Sequence, residues 1–280
     1  IIFSDLHIGR HIKPVLKVFS LSVVTSIYLQ LNTVLLGFLK NALAVGYFAA
    51  AIRVMQMLLQ MSSCLGSVMM PRASHLISEN KESEFNTLIQ KSYDFTLAIA
   101  MPITVGLIFC APCLITTLCG VKFAESILPS QIIAPIILMV AISNVFGTQV
   151  LFPKGKINIV TLCCGIGAVT DLILNLCLIP FFSYVGTSIA YLGAEVATTV
   201  SMYFIGRQYI PIQCFKQSHL NYLLGCIMMA VVLFVISRLQ LPSFYILILQ
   251  GCFGILVYFI MLYAQKEAML MQVLSKIKKH

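Results

Sequence analysis

The 280-residue chain is 60% hydrophobic and only 10% charged, and its 18 lysines and arginines against 9 acids leave a net charge of +9. Soluble domains carry about 25% charged residues, so this composition excludes a soluble enzyme, a nucleic-acid-binding module and a disordered chain. It predicts an all-α polytopic membrane helix bundle, because a bilayer crossing needs roughly 20 mostly apolar residues.

Eight transmembrane helices are read in chain order. Pro14–Leu39 is the first. Leu43–Met70 carries Arg53 near mid-bilayer, where insertion scales put an arginine at roughly 2.5–3.5 kcal/mol. Gln56, Gln60 and Ser63 follow at helical spacing, giving a polar stripe. Arg53 therefore faces a wet cavity, or it is buried against a carboxylate or carbonyls. The most polar connection is Ser74–Lys91, where Phe85, Leu88 and Ile89 suggest a short amphipathic helix on the cytoplasmic surface.

Ser92–Leu118 and Ile127–Phe152 come next, with Pro102, Pro112, Pro129 and Pro135 in or near them. Proline removes a backbone donor and kinks a helix. Ile157–Ile179 places Thr161, Cys164, Ala168, Asp171 and Asn175 on one face, and Tyr184–Ile205 places Ser188, Tyr191, Glu195 and Thr198 on one face. Asp171 and Glu195 lie near mid-helix, where a carboxylate can carry a proton, pair with Arg53, or serve helix packing. Leu220–Ser237 and Phe244–Ala264 close the series. A β-barrel is excluded, because these runs are long and do not alternate.

With the N-terminus inside, the inner segments hold 14 basic residues and the outer segments hold Lys40, Lys122 and Arg238 only. That bias places both termini in the cytoplasm, and it explains the net charge without a nucleic-acid partner. The parts are a cytoplasmic segment (1–13), a six-helix lobe (14–210), two additional helices (211–264) and a basic tail (265–280). Asp94 and Lys17 are expected to be solvated at the interface.

Most of the ten cysteines lie within spans and read as small buried hydrophobes. Cys110–Cys113 has CxxC spacing but lies in an apolar helix, and the five histidines offer no ligand pair, so no metal or cofactor is expected.

Several segments resemble the second lobe of Wzx-type bacterial polysaccharide flippases, members of the multidrug/oligosaccharidyl-lipid/polysaccharide exporter superfamily. Gln30–Val54 resembles their pattern through Leu36-Gly37, Val45-Gly46, Ala50 or Ala51 and the basic Arg53, with Asn32 where the family has an acid. Gly66–Ser74 resembles the next cytoplasmic edge. Asn144–Lys156 resembles the Gly-x-Gln-x-Leu-x-Pro-x-Gly turn, and Leu172–Glu195 resembles the Asn-x-x-Leu-Ile-Pro…Gly…Glu pattern.

The resemblance implies a second lobe plus two extra C-terminal helices in the bacterial inner membrane, with a first lobe of the same transporter lying upstream. It implies alternating access for an undecaprenyl-pyrophosphate-linked oligosaccharide, with the lipid bilayer and polysaccharide polymerase machinery as partners. It assigns substrate contacts to Arg53, Gln56, Gln60 and Asn32, and ion coupling or charge pairing to Asp171 and Glu195. The competing readings are a multidrug/cation antiporter of the same superfamily and an inactive truncated fragment. A membrane enzyme is disfavoured, because the acids are scattered rather than set at metal-binding spacing.

Overall fold

The fold comes from a computed structural model that describes residues 30–214 and 216–265, together with positions 19, 23, 267 and 271; the side chains of 63–68 are not described. Every regular element among the described residues is a helix. The elements are α1 (Gln30–Leu39), α2 (Ala42–Ser78) and α3 (Glu82–Leu118). A 3₁₀ turn (Val121–Ser126) leads into α4 (Ile127–Ile133), α5 (Ile136–Asn144) and a π-helical turn (Val145–Leu151). α6 (Ile157–Gly206), α7 (Gln217–Ser237) and α8 (Ser243–Ala264) complete the chain. Five helices are long and apolar enough to cross a membrane, and the bent pair Val121–Ile133 and Ile136–Leu151 makes a sixth. The predicted span Pro14–Leu39 is described only in its last part, as α1.

Asn41 opens α2, where its side-chain oxygen accepts the Ala44 N–H at 2.9 Å. This is the usual device for satisfying an orphan donor at a helix start. The separate amphipathic helix expected within Ser74–Lys91 does not form. α2 runs on to Ser78, and 82–91 is the beginning of α3 itself. The only break is the short turn between them, where Asn80 takes a left-handed φ of 56°. Glu82 and Glu84 in the first turn of α3 favour helix initiation there. Phe85, Leu88 and Ile89 are buried, so their apolar face extends the core rather than lying on a surface.

Pro135 separates α4 from α5 and bends the pair by 43°. Pro102 and Pro112 lie inside α3, which continues through both. The π-helical turn widens the ladder, as the Phe152 N–H bond to the Gly147 carbonyl at 2.8 Å records. Within this turn Gln149 is buried and accepts the Ser92 hydroxyl at 2.6 Å, tying the turn to α3.

α6 has 50 residues. At 1.5 Å per residue a straight helix of that size would be about 75 Å long, more than twice the roughly 30 Å hydrocarbon core. Ser183, with φ 50° and ψ −130°, divides it. The two arms run antiparallel: Gly186 leaves room for the Leu178 carbonyl and Gly167 for the Thr198 hydroxyl. A methyl group at either glycine would collide with the opposite arm.

Two apolar clusters hold the bundle. One joins α1 to α6 through Leu36, Phe48, Met55, Leu107, Ile137 and Tyr191. The other joins α3, the π turn, α6, α7 and α8 through Phe85, Tyr93, Phe146, Met202, Tyr222 and Tyr258. α8 is pinned to α3 by the Tyr258 hydroxyl, which donates to the Ala98 carbonyl at 2.8 Å. Large apolar residues such as Phe38, Phe181 and Phe204 are exposed, as a lipid-facing surface requires.

Candidate functional site

Two polar features lie within the spans. The first is buried where α1 meets the two arms of α6. Asp171 and Asn175 are 0% exposed, Asn32 is 1% exposed and Glu195 is 6% exposed. The Asn175 amide donates to the Asn32 side-chain oxygen at 2.9 Å and to the Asp171 carbonyl at 2.9 Å. Both carboxylate oxygens of Asp171 and the side-chain oxygen of Asn175 have no hydrogen-bond partner. The side chains of Asn32 and Asn175 lie beside the Asp171 carboxylate. Glu195 and Tyr191 approach from the opposite arm and interact with it electrostatically.

The second feature is the α2 face carrying Arg53, Gln56 and Gln60, all three exposed. Among the described residues no ion pair joins Arg53 to a carboxylate. Arg53 is therefore not bridged to Asp171 or Glu195. Asn32 does not share the Arg53 face; it belongs to the buried cluster. Ser63 lies among the residues whose side chains are not described.

The 3.6-residue period brought Asp171 and Asn175 together in advance, whereas the pairing of Asn32 with Asn175 across 143 residues leaves no local signal. Another cluster departs from expectation. Asp94 is not simply solvated. It accepts His219 Nε2 at 2.9 Å and the Gln90 amide at 2.8 Å, and lies 3.5 Å from Lys216 Nζ. Gln90 in turn accepts the Gln213 N–H at 2.8 Å. The Gln90/Asp94 spacing is the only trace of this in the sequence, since the partners lie 122 and more residues away.

At the opposite end of the bundle, Lys40 donates to the Pro180 carbonyl at 2.9 Å, and the Tyr184 hydroxyl donates to Glu125 at 2.7 Å. Tyr47 packs edge-on against both Tyr184 and Phe123. The break in α6 is thus fastened to the α1–α2 turn and to the 3₁₀ turn.

Residues 3–128 match the model of a family described as polysaccharide biosynthesis protein. A Shigella dysenteriae protein carrying the name O-antigen transporter is 28% identical over 181 residues, which is 64% of this chain and 44% of that protein. The chain spans about half the length of the curated relatives it matches. Among solved structures, the lipid II flippase MurJ in its inward closed conformation has a TM-score of 0.77 at 19% identity, over 92% of this chain and 55% of the other. An outward-facing multidrug resistance transporter of the MATE family has a TM-score of 0.62 at 15% identity, over 92% of this chain and 65% of the other. The chain is thus a multi-pass helical membrane protein; its first part is similar to the polysaccharide biosynthesis protein family, its sequence resembles that of proteins named O-antigen transporter, and its fold resembles that of the two solved transporters.

Proposed function

We propose that the chain forms one lobe and two additional helices of a flippase that moves an undecaprenyl-pyrophosphate-linked oligosaccharide from the inner to the outer leaflet. The two arms of α6 count as separate crossings in this reading. With the first helix complete and the bent pair taken as one, there are eight crossings, and both termini face the cytoplasm of a bacterial inner membrane. A first lobe of the same transporter faces the Arg53 side, and polysaccharide polymerase machinery receives the product.

The observation that carries this reading is Arg53, exposed within an apolar span and without an ion-pair partner among the described residues. An intramembrane arginine without a counter-charge is sustained by a wet cavity or an anionic ligand. A guanidinium fork suits the paired oxygens of pyrophosphate, and Gln56 and Gln60 on the same face can hydrogen-bond sugar hydroxyls. The buried Asp171–Asn175–Asn32 cluster supports a second role. Its unpartnered oxygens suit a proton or a small cation, so that occupancy there would bias the packing of α1 against α6 and couple an ion gradient to the alternation of states.

The Arg53→Ala change, made in the native host, is expected to abolish surface polysaccharide with expression and membrane insertion intact, and Arg53→Lys to restore part of it. Normal polysaccharide in Arg53→Ala cells would remove the assigned role. The likeness to a multidrug transporter favours an antiporter as the second reading. In that case Arg53→Ala would leave polysaccharide untouched and change the accumulation of a cationic dye.

A further inference from the structure

Three basic side chains border one pocket at the edge of the bundle. The pocket, of about 460 Å³, lies between the α2–α3 turn, the turn before α6 and the segment after α6, and its lining includes Lys81, Lys154, Lys156, Gln208 and Tyr209. Glu82 also lines it, and Lys81 is already paired with Glu79 at 2.8 Å. Lys154 and Lys156 differ from Lys81 in that neither is in an ion pair among the described residues. Both are half-buried.

The backbone brings both lysines to the same pocket. Gly155, at φ 70°, ends the preceding helix. The Gly155 N–H bonds to the Phe152 carbonyl at 2.9 Å and the Lys156 N–H to the Leu151 carbonyl at 2.8 Å, the paired bonds of a glycine-ended helix stop. Tyr209 then orients both lysines. Lys154 Nζ donates to the Tyr209 carbonyl at 3.0 Å, and Lys156 Nζ lies 4.8 Å from the centre of the Tyr209 ring. Lys154 also sits 5.1 Å from the centre of the Phe85 ring. An ammonium has three donors. Lys154 uses one, which leaves donors on both lysines for an anion with several oxygens.

We propose that this pocket binds the phosphate headgroup of an anionic phospholipid. Basic pockets between membrane helices on the cytoplasmic side recognise such headgroups. The surface beside the pocket argues for a lipid over a free phosphate. Phe204 and Ile205, one turn before Gln208, are exposed and offer acyl chains an apolar track. The leaflet rests on the orientation proposed above, whereas the ligand chemistry does not.

The test uses the purified chain in detergent, with phosphatidylglycerol and phosphatidylcholine titrated separately and bound lipid counted by native mass spectrometry. The intact chain is expected to prefer phosphatidylglycerol. The double change Lys154→Gln/Lys156→Gln is expected to weaken that binding by roughly tenfold or more, and Lys154→Arg/Lys156→Arg to retain it. Equal binding of the two lipids by the unaltered chain would overturn the proposal, even if the glutamine variant fails to fold. So would undiminished phosphatidylglycerol binding in a folded glutamine variant. Millimolar glycerol phosphate that displaces the lipid completely would assign the site to a soluble phosphate instead and overturn the lipid assignment. A failure of Arg53→Ala to affect polysaccharide would leave these lipid measurements unchanged, so the two readings fail separately.

Discussion

Asp171 shows how much a single residue decides. A carboxylate without donors is among the most costly groups to place in an apolar interior, and here it sits at the junction of α1 with both arms of α6. Replacing Asp171 by Asn keeps the shape and removes the unpartnered charge. The variant is expected to fold with an unchanged or higher unfolding temperature while losing the ion dependence of transport. An unfolding temperature that drops sharply would instead make the carboxylate a structural group. Asp94 makes the opposite case, because its oxygens are engaged by His219, Gln90 and Lys216. Asp94→Ala strands those donors and is expected to cost about 1–3 kcal/mol. Thermal unfolding would measure the loss, and faster proteolysis of the segment between α6 and α7 would locate it.

At the scale of elements, the breaks matter more than the helices. Ser183 adopts φ 50° and ψ −130°, a conformation suited to glycine at the first central position of a type II′ turn. Ser183→Gly is therefore expected to raise stability by about 1 kcal/mol, and a lowered unfolding temperature would contradict the strain assigned to this turn. The halves of α6 were legible in the sequence because apolar runs on either side of Ile179–Tyr184 are each long enough to cross a bilayer. The fate of Ser74–Lys91 was not legible. Its polarity reads as a surface helix, but Phe85, Leu88 and Ile89 belong to a core cluster that also takes in residues of the π turn, α7 and α8, far away in the chain. The bend at Pro135 was visible as a proline, and the π-helical turn beyond it was not, since i→i+5 bonding has no residue signature comparable to proline's.

At the scale of the whole molecule, composition alone identified a helical membrane bundle. The 14-to-3 distribution of basic residues is an expectation that rests on the eight-span reading with both termini inside. The structure adds which polar groups within the spans meet. Arg53 lies on an exposed face with Gln56 and Gln60 and has no ion-pair partner among the described residues, and Asp171 lies within a separate buried cluster with Asn32 and Asn175. Sequence periodicity could place each of these on a face of its own helix. It could not tell which faces would meet, because α1 and α6 are brought together only by the fold. Under the proposed function the two features divide the labour, one face contacting an anionic lipid-linked glycan and the buried cluster sensing an ion.

The central claim is that Arg53 contacts the pyrophosphate of that glycan during its passage across the bilayer. Translocation of an undecaprenyl-pyrophosphate-linked oligosaccharide in inverted membrane vesicles from the native host tests this most directly. Vesicles carrying the unaltered protein are predicted to move the glycan lipid, those with Arg53→Ala to lose the movement, and those with Arg53→Lys to retain part of it. Movement by Arg53→Ala vesicles at the unaltered rate would contradict the account.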